Sequence, residues 1–210
     1  MPARLARMLR FLFILQMTLF TLSLQAADPP VRRVLFVCTG NFFRSAFAER
    51  YFNHLAAENR ELPEGDPRRK GVVWVAESRG LDPAQLSPGQ RAARMSRFAL
   101  ARLRQLGIPV PTDPATRLPA HTPRPLALPD LERCQRIVAM HDASHRPMLR
   151  RFLAQRKDQV RDPEALLARV TYWNIDDVTA TPAIPLTPQQ QADRSLDEVQ
   201  RAVARLFADL

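Results

Sequence analysis

From Arg33 onward, short apolar runs alternate with longer stretches in which apolar residues recur every three or four positions, the pattern of an α/β domain. Val34-Leu35-Phe36-Val37 is continuous rather than alternating, so it reads as a strand buried on both faces. Residues 72–76 (VVWVA) read the same way, and residues 136–140 (RIVAM) and 170–175 (VTYWNI) complete four predicted strands. Ser87-Pro88-Gly89-Gln90 combines a capping box with proline at the first helical position. It predicts one helix that carries Ala92, Met95, Ala99, Leu103 and Leu106 on a single face and stops at Gly107. Thr187-Pro188-Gln189-Gln190 repeats the start signal ahead of Ala192, Leu196, Val199, Val203 and Leu206, which predicts a docked C-terminal helix. Residues 57–70 and 109–130 hold much of the proline and charge without periodicity and read as surface loops.

Upstream of this pattern the chain has a different character. The first 27 residues contain three arginines (Arg4, Arg7, Arg10) and no acid, then the apolar run FLFILQMTLFTLSL at 11–24, then Gln25-Ala26-Ala27. That is signal-peptide anatomy, with cleavage expected after Ala26 or Ala27 and export to the periplasm or beyond. Fourteen residues fall short of the roughly 20 that span a bilayer, so no stable membrane span is expected after signal removal. The competing reading is a start assigned too far upstream, which leaves a cytoplasmic protein beginning near Asp28. Either way, residues 1–27 stand apart and residues 28–210 form a single α/β domain.

Composition adds less. At 46% hydrophobic and 25% charged, the 210 residues resemble an average folded protein, which argues against wholesale disorder. Lys+Arg number 31 against 21 Asp+Glu; only Lys70 and Lys157 are lysines, so the net +10 is an arginine excess. Arginine suits phosphate or acidic partners, yet genomic base bias produces the same composition. The longest basic run is Arg68-Arg69-Lys70, with no interleaved aromatics, so nucleic acid is not an expected partner.

Candidate chemistry concentrates where the first predicted strand ends: Cys38-Thr39-Gly40-Asn41-Phe42-Phe43-Arg44-Ser45, followed by the helical AFAERYFNHLAAE. A C-x5-R spacing alone means little in so arginine-rich a chain. The context carries the signal, because a buried strand feeds a loop containing Gly and Asn and then a helix N-terminus, a combination that gathers backbone N–H groups around one point. Such a nest binds a tetrahedral dianion and favours the thiolate over the thiol at Cys38. Arg44 is placed to offer the anion a bidentate fork.

These residues resemble the low-molecular-weight protein tyrosine phosphatase family, whose strand and loop read VLFVC-x-G-N-x-x-R-S. The likeness continues through Ser78-Arg79-Gly80, through His121-Thr122-Pro123-Arg124-Pro125-Leu126 and through the third predicted strand. It implies a doubly wound four-stranded parallel sheet, order 2-1-3-4, with helices on both faces. It also implies a metal-independent phosphomonoester hydrolase with no cofactor, acting on a phosphoprotein or a small phosphomonoester. By the same likeness Cys38 is the nucleophile, the loop from Thr39 to Ser45 with Arg44 holds the phosphoryl oxygens, and Asn41 with Ser45 stabilise the thiolate. The family's general acid is an Asp-Pro after the fourth strand. Aligning Trp173-Asn174-Ile175 puts Asp177 on that acid, with Asp176 in reserve and Val178 on the missing proline.

Several positions depart from the family. Phe43 stands where a second cysteine usually neighbours the arginine, so no disulfide forms within the loop. Ala46 stands in place of a proline, a change without consequence for a helix. Val178-Thr179-Ala180 lack the aromatic pair that grips a phenyl ring, and Phe42, Phe43 and Trp173 are the substitute cleft walls. Cys134 lies about a strand length, roughly 16 Å, from Cys38, too far for a disulfide, and reads as a buried small hydrophobe. His141 and His145 have i, i+4 spacing but no third ligand nearby, so they are assigned to surface or capping positions and no metal site is expected. His54 is placed on the exposed face of the first helix, and Arg146 to Arg151 on a solvated one. The alternatives to the hydrolase are a catalytically weak phosphate-binding or regulatory module and an arsenate reductase, for which a lone Cys134 is a poor resolving thiol.

Overall fold

In the computed structural model, which describes residues 29–178 and 186–210, the run at Val34 to Val37 is the centre of the protein: these four residues are wholly inaccessible to solvent. The signal-like segment lies outside the described residues, and Val31–Leu210 form one compact unit. Strand β1 (Val31–Cys38) pairs in parallel with β2 (Val73–Gly80) on one side and β3 (Arg136–Ala139) on the other, and β3 pairs in parallel with β4 (Val170–Tyr172). The order β2-β1-β3-β4 is the expected one. Both faces of β1 are covered, which is why its apolar run is unbroken.

The helices follow the chain between these strands: α1 (Arg44–Glu61), α2 (Pro88–Ala93), α3 (Arg97–Gln105), α4 (Leu128–Arg133), α5 (Asp142–Ala154), α6 (Pro163–Ala168) and α7 (Pro188–Ala208). Val34 and Phe36 belong to one core cluster with Phe47, Phe52, Leu103, Leu196 and Val199. Leu35 and Val37 belong to a second, with Leu131, Leu149, Phe152 and Leu167. Alternate residues of one strand therefore feed two cores, the requirement of a doubly wound sheet. Among the described residues no helix is long and apolar enough to cross a membrane.

Four expectations need correction. β2 is an edge strand and alternates: Trp74, Ala76 and Ser78 are buried while Val73, Val75 and Glu77 are partly exposed, so its apolar run does not mean burial on both faces. The single helix expected from Ser87 to Gly107 breaks in two at Arg94, where φ is +61°. Met95 and Ser96 bridge the break, and the Ser96 N–H donates to the Phe42 carbonyl, so a tertiary contact to the Cys38 loop interrupts a locally continuous pattern. The expected loops are shorter: α1 runs through 57–61, and α4 begins at Leu128, started by a proline and by Asp130, whose carboxylate accepts from the Ala127 N–H. His145, assigned to a surface or cap, is fully buried; His141 alone caps α5, its Nδ1 accepting from the Ser144 N–H.

Candidate active site

Cys38 ends β1 and Arg44 begins α1, so the five residues between them wrap around the point where the strand gives way to the helix. Asn41 takes the left-handed conformation at φ 53°, tolerable because its short amide bonds locally. Gly40 serves a different purpose: a Cβ there would come within 2.7 Å of Leu86 Cδ2, so the glycine admits Leu86 over the loop. The first N–H groups of α1 have no intrahelical partner and face the loop, a ready anion site.

The polar contacts around Cys38 have a definite direction. The Asn41 side-chain N–H2 donates to Ser45 Oγ at 3.1 Å and to Ser78 Oγ at 2.7 Å, while Asn41 Oδ1 accepts from the Arg124 N–H at 3.0 Å. Ser78 in turn donates to the Glu49 carboxylate. The Ser45 hydroxyl lies 2.9 Å from Cys38 Sγ, and the Asn41 N–H donates to the same sulfur at 3.3 Å. Buried His121 holds the loop from outside, its Nε2–H donating to the Asn41 carbonyl at 2.8 Å, and burial pushes its titration below the ordinary range.

Arg44 is buried against the segment that follows β4. Its Nη1 donates to the Ile175 carbonyl at 2.7 Å and its Nη2 to Asp177 Oδ2 at 2.6 Å. Nε is buried and has no hydrogen-bond partner among the described residues. A buried unpaired guanidinium N–H is costly, so it is a donor left available for a bound anion. Asp177 Oδ1 accepts from the Val178 N–H at 2.8 Å, a contact that a proline at 178 would not allow. Asp176, two-thirds exposed, turns the other way toward His141 Nε2 at 3.5 Å, and its carbonyl accepts from Ser195 Oγ on α7. Of the two acids, Asp177 is the one brought to Arg44.

A cleft opens over the sulfur, lined by Cys38, Thr39, Gly40, Phe42, Phe43 and Asp177 together with Gln85, Leu86, Gln90, Ser96, Phe98 and Val178. Trp173, expected as a wall, instead packs on Phe36 with ring centroids 5.8 Å apart and lines a separate groove with Arg201 and Arg205. Leu86, Gln85, Gln90 and Phe98 carry no sequence signal for this role; the break at Arg94 is what folds α2 and α3 onto the loop. Cys134 is buried and free, and burial pushes its thiol up to about 11, which makes it inert at neutral pH.

Below the loop, His145 of α5 presents Nε2 to Thr39 Oγ1 at 3.3 Å and accepts the His141 N–H on Nδ1 at 2.9 Å. Burial first, then the Arg44 and His141 charges, depress its titration to about 3. In the unfolded chain the same group titrates near 6.5, so between pH 6.5 and 3 unfolding takes up a proton and stability falls as the pH falls. Between pH 6.5 and 4.5, above the carboxylate range, His145 contributes a slope approaching 1.4 kcal/mol per pH unit. Urea midpoints across that window should therefore fall less steeply for His145→Leu than for the wild type; parallel curves would show that His145 does not titrate this way.

No protein-family model matches the chain, and no curated protein sequence matches it. Solved structures do. A low molecular weight protein tyrosine phosphatase from T. tengcongensis matches 85% of this chain and 99% of its own at 21% identity, with a TM-score of 0.56. The YwlE arginine phosphatase of Geobacillus stearothermophilus covers 85% of this chain and 92% of its own at 21% identity and TM-score 0.53. Vibrio vulnificus Wzb in complex with benzylphosphonate covers 85% and 99% at 14% identity and TM-score 0.54. The architecture is that of an open α/β sheet whose cleft lies at the carboxyl ends of its strands, where the order reverses. Within that class, the chain has the fold of the low molecular weight protein tyrosine phosphatases.

Proposed function

We propose that the protein is a phosphomonoester hydrolase that works through a phosphocysteine on Cys38. The observation that carries this reading is the Cys38 sulfur, in contact with the Ser45 hydroxyl and the Asn41 N–H, at the start of a loop that ends in a buried Arg44 whose Nε has no partner among the described residues. The thiolate attacks phosphorus in line and the ester oxygen departs with the proton of Asp177, leaving an S–P bond. Asp177 then takes a proton from water, the resulting hydroxide displaces sulfur, and inorganic phosphate leaves. Arg44 and the loop amides follow the equatorial oxygens through both steps, where charge develops. For either step Asp177 must release Arg44 Nη2, which the phosphoryl group then occupies; the ion pair keeps the acid next to its place of action.

The apolar walls at Phe42, Leu86, Phe98 and Val178 favour an aryl leaving group over a sugar, and the aromatic phosphonate named for one structural neighbour fits the same chemistry. The purified chain should hydrolyse p-nitrophenyl phosphate steadily, at the same rate with and without chelator. Phosphate binding without turnover would favour the non-catalytic module, and no binding at all would remove both.

A further inference from the structure

His145 occupies a position that packing alone would fill with an apolar side chain. It shares the buried face of α5 with Leu149, Phe152 and Leu153, at the i, i+4, i+7 and i+8 spacing of a core stripe, and it is as inaccessible as Leu149. An imidazole in such a stripe runs against the local pattern, and breaches of that kind mark function or strain. It is also fully committed. A backbone N–H can only donate, so the bond from His141 N makes Nδ1 an acceptor without a proton. The neutral ring then carries its hydrogen on Nε2, and Nε2–H donates to Thr39 Oγ1.

That donation decides what the Thr39 hydroxyl does. Its oxygen lone pair is taken by His145, and among the described residues no acceptor takes its proton. Thr39 follows the nucleophile directly and lines the cleft over the sulfur. Its carbonyl is held by the Asp82 N–H at 2.8 Å, so backbone and side chain are anchored on different elements. We propose that His145 is a positioning residue: as the neutral Nε2–H tautomer it fixes Thr39 so that the hydroxyl proton is presented to an oxyanion held against Cys38. This rests on the phosphate-site reading above and extends it, since Thr39 becomes an additional donor to the bound phosphoryl group. The same arrangement explains why the ring stays neutral beside the Arg44 guanidinium: an imidazolium would force its proton on the His141 N–H.

Affinity for inorganic phosphate, measured by calorimetry on the purified full chain, tests the proposal without requiring turnover. Thr39→Val and His145→Leu should each weaken binding about 5- to 10-fold, the effect of one net hydrogen bond. Thr39→Ser should stay within about twofold of the wild type. The double variant should be no weaker than the weaker single, because the two residues act through one proton. His145→Gln, whose amide can accept from His141 and donate to Thr39, should recover most of the affinity and covers the case in which His145→Leu does not fold. Nitrogen-15 spectra of the ring should report the neutral Nε2–H form from pH 5 to 8. Additive losses, unchanged affinity in His145→Leu or in Thr39→Val, no recovery in His145→Gln, or a protonated or Nδ1–H ring would each overturn it. A wild type that binds phosphate but does not turn over p-nitrophenyl phosphate would overturn the hydrolase reading alone, and the affinities would still decide this one.

Discussion

Cys38→Ser is expected to abolish hydrolysis of p-nitrophenyl phosphate, by about 10⁴-fold or more in kcat, while leaving inorganic phosphate bound with near wild-type affinity. Two parts of one loop carry these two effects. The proposed attack needs an anion at position 38, beside the Ser45 hydroxyl and the Asn41 N–H, and a thiol ionises far more readily than a serine hydroxyl. The proposed anion cradle is made of other groups: the start of α1, the left-handed Asn41 and the Arg44 fork. A serine is smaller than cysteine and disturbs none of them. Rapid quench of the wild type should trap a phosphorylated Cys38, and no such species should form on the variant. Turnover surviving in Cys38→Ser would discard the phosphocysteine mechanism.

Asp177→Asn should slow hydrolysis by 10²- to 10⁴-fold for phosphate esters with poor leaving groups, the range of general acid catalysis, and far less for activated aryl esters. A good leaving group departs as its own anion, whereas a tyrosyl or alkyl oxygen needs the proton. Asparagine has a single acceptor oxygen, so it can keep the bond from Arg44 Nη2 or the one from the Val178 N–H but not both, and the dependence on the leaving group, rather than the size of the loss, identifies the chemical role. Asp176→Asn should be nearly silent, because that side chain points to solvent and His141 rather than to Arg44. Rates of both variants across a leaving-group series decide the matter. The same leaving-group dependence at Asp176 would move the acid by one residue, and none at either would leave an anion site without an acid.

Much of the fold was legible because its signals are local. An unbroken apolar run at 34–37 is costly anywhere but between two covered faces, which places β1 at the centre. The Ser87 and Thr187 capping boxes form within four residues and start α2 and α7 where expected. Cys38, Asn41, Arg44 and Ser45 lie within eight residues, so one strand-loop-helix turn brings them together with little help from the rest of the chain.

What depends on distant partners was not legible. Periodicity is blind to the break at Arg94, because the Phe42 carbonyl that takes the Ser96 N–H is 54 residues away. Trp173 has the composition of a cleft wall, but just past β4 it packs on Phe36, and Leu86 and Phe98 join Phe42 and Phe43 as the walls. The alignment at Trp173-Asn174-Ile175 puts Asp177 ahead of Asp176, but the contact that distinguishes them, with Arg44 133 residues away, exists only in the folded chain. His145 has the spacing of a surface pair with His141 and the environment of a core leucine; only the packing of α5 beneath the Cys38 loop brings its ring to Thr39. By itself the sequence determined the layered sheet and the strand-loop-helix turn that gathers Cys38, Asn41, Arg44 and Ser45, since hydrophobic period and backbone turn chemistry are properties of neighbouring residues. The tertiary structure alone decided that Asp177 meets Arg44, which side chains line the cleft and which way a buried histidine bonds, because burial and hydrogen-bond direction exist only once distant segments share a surface.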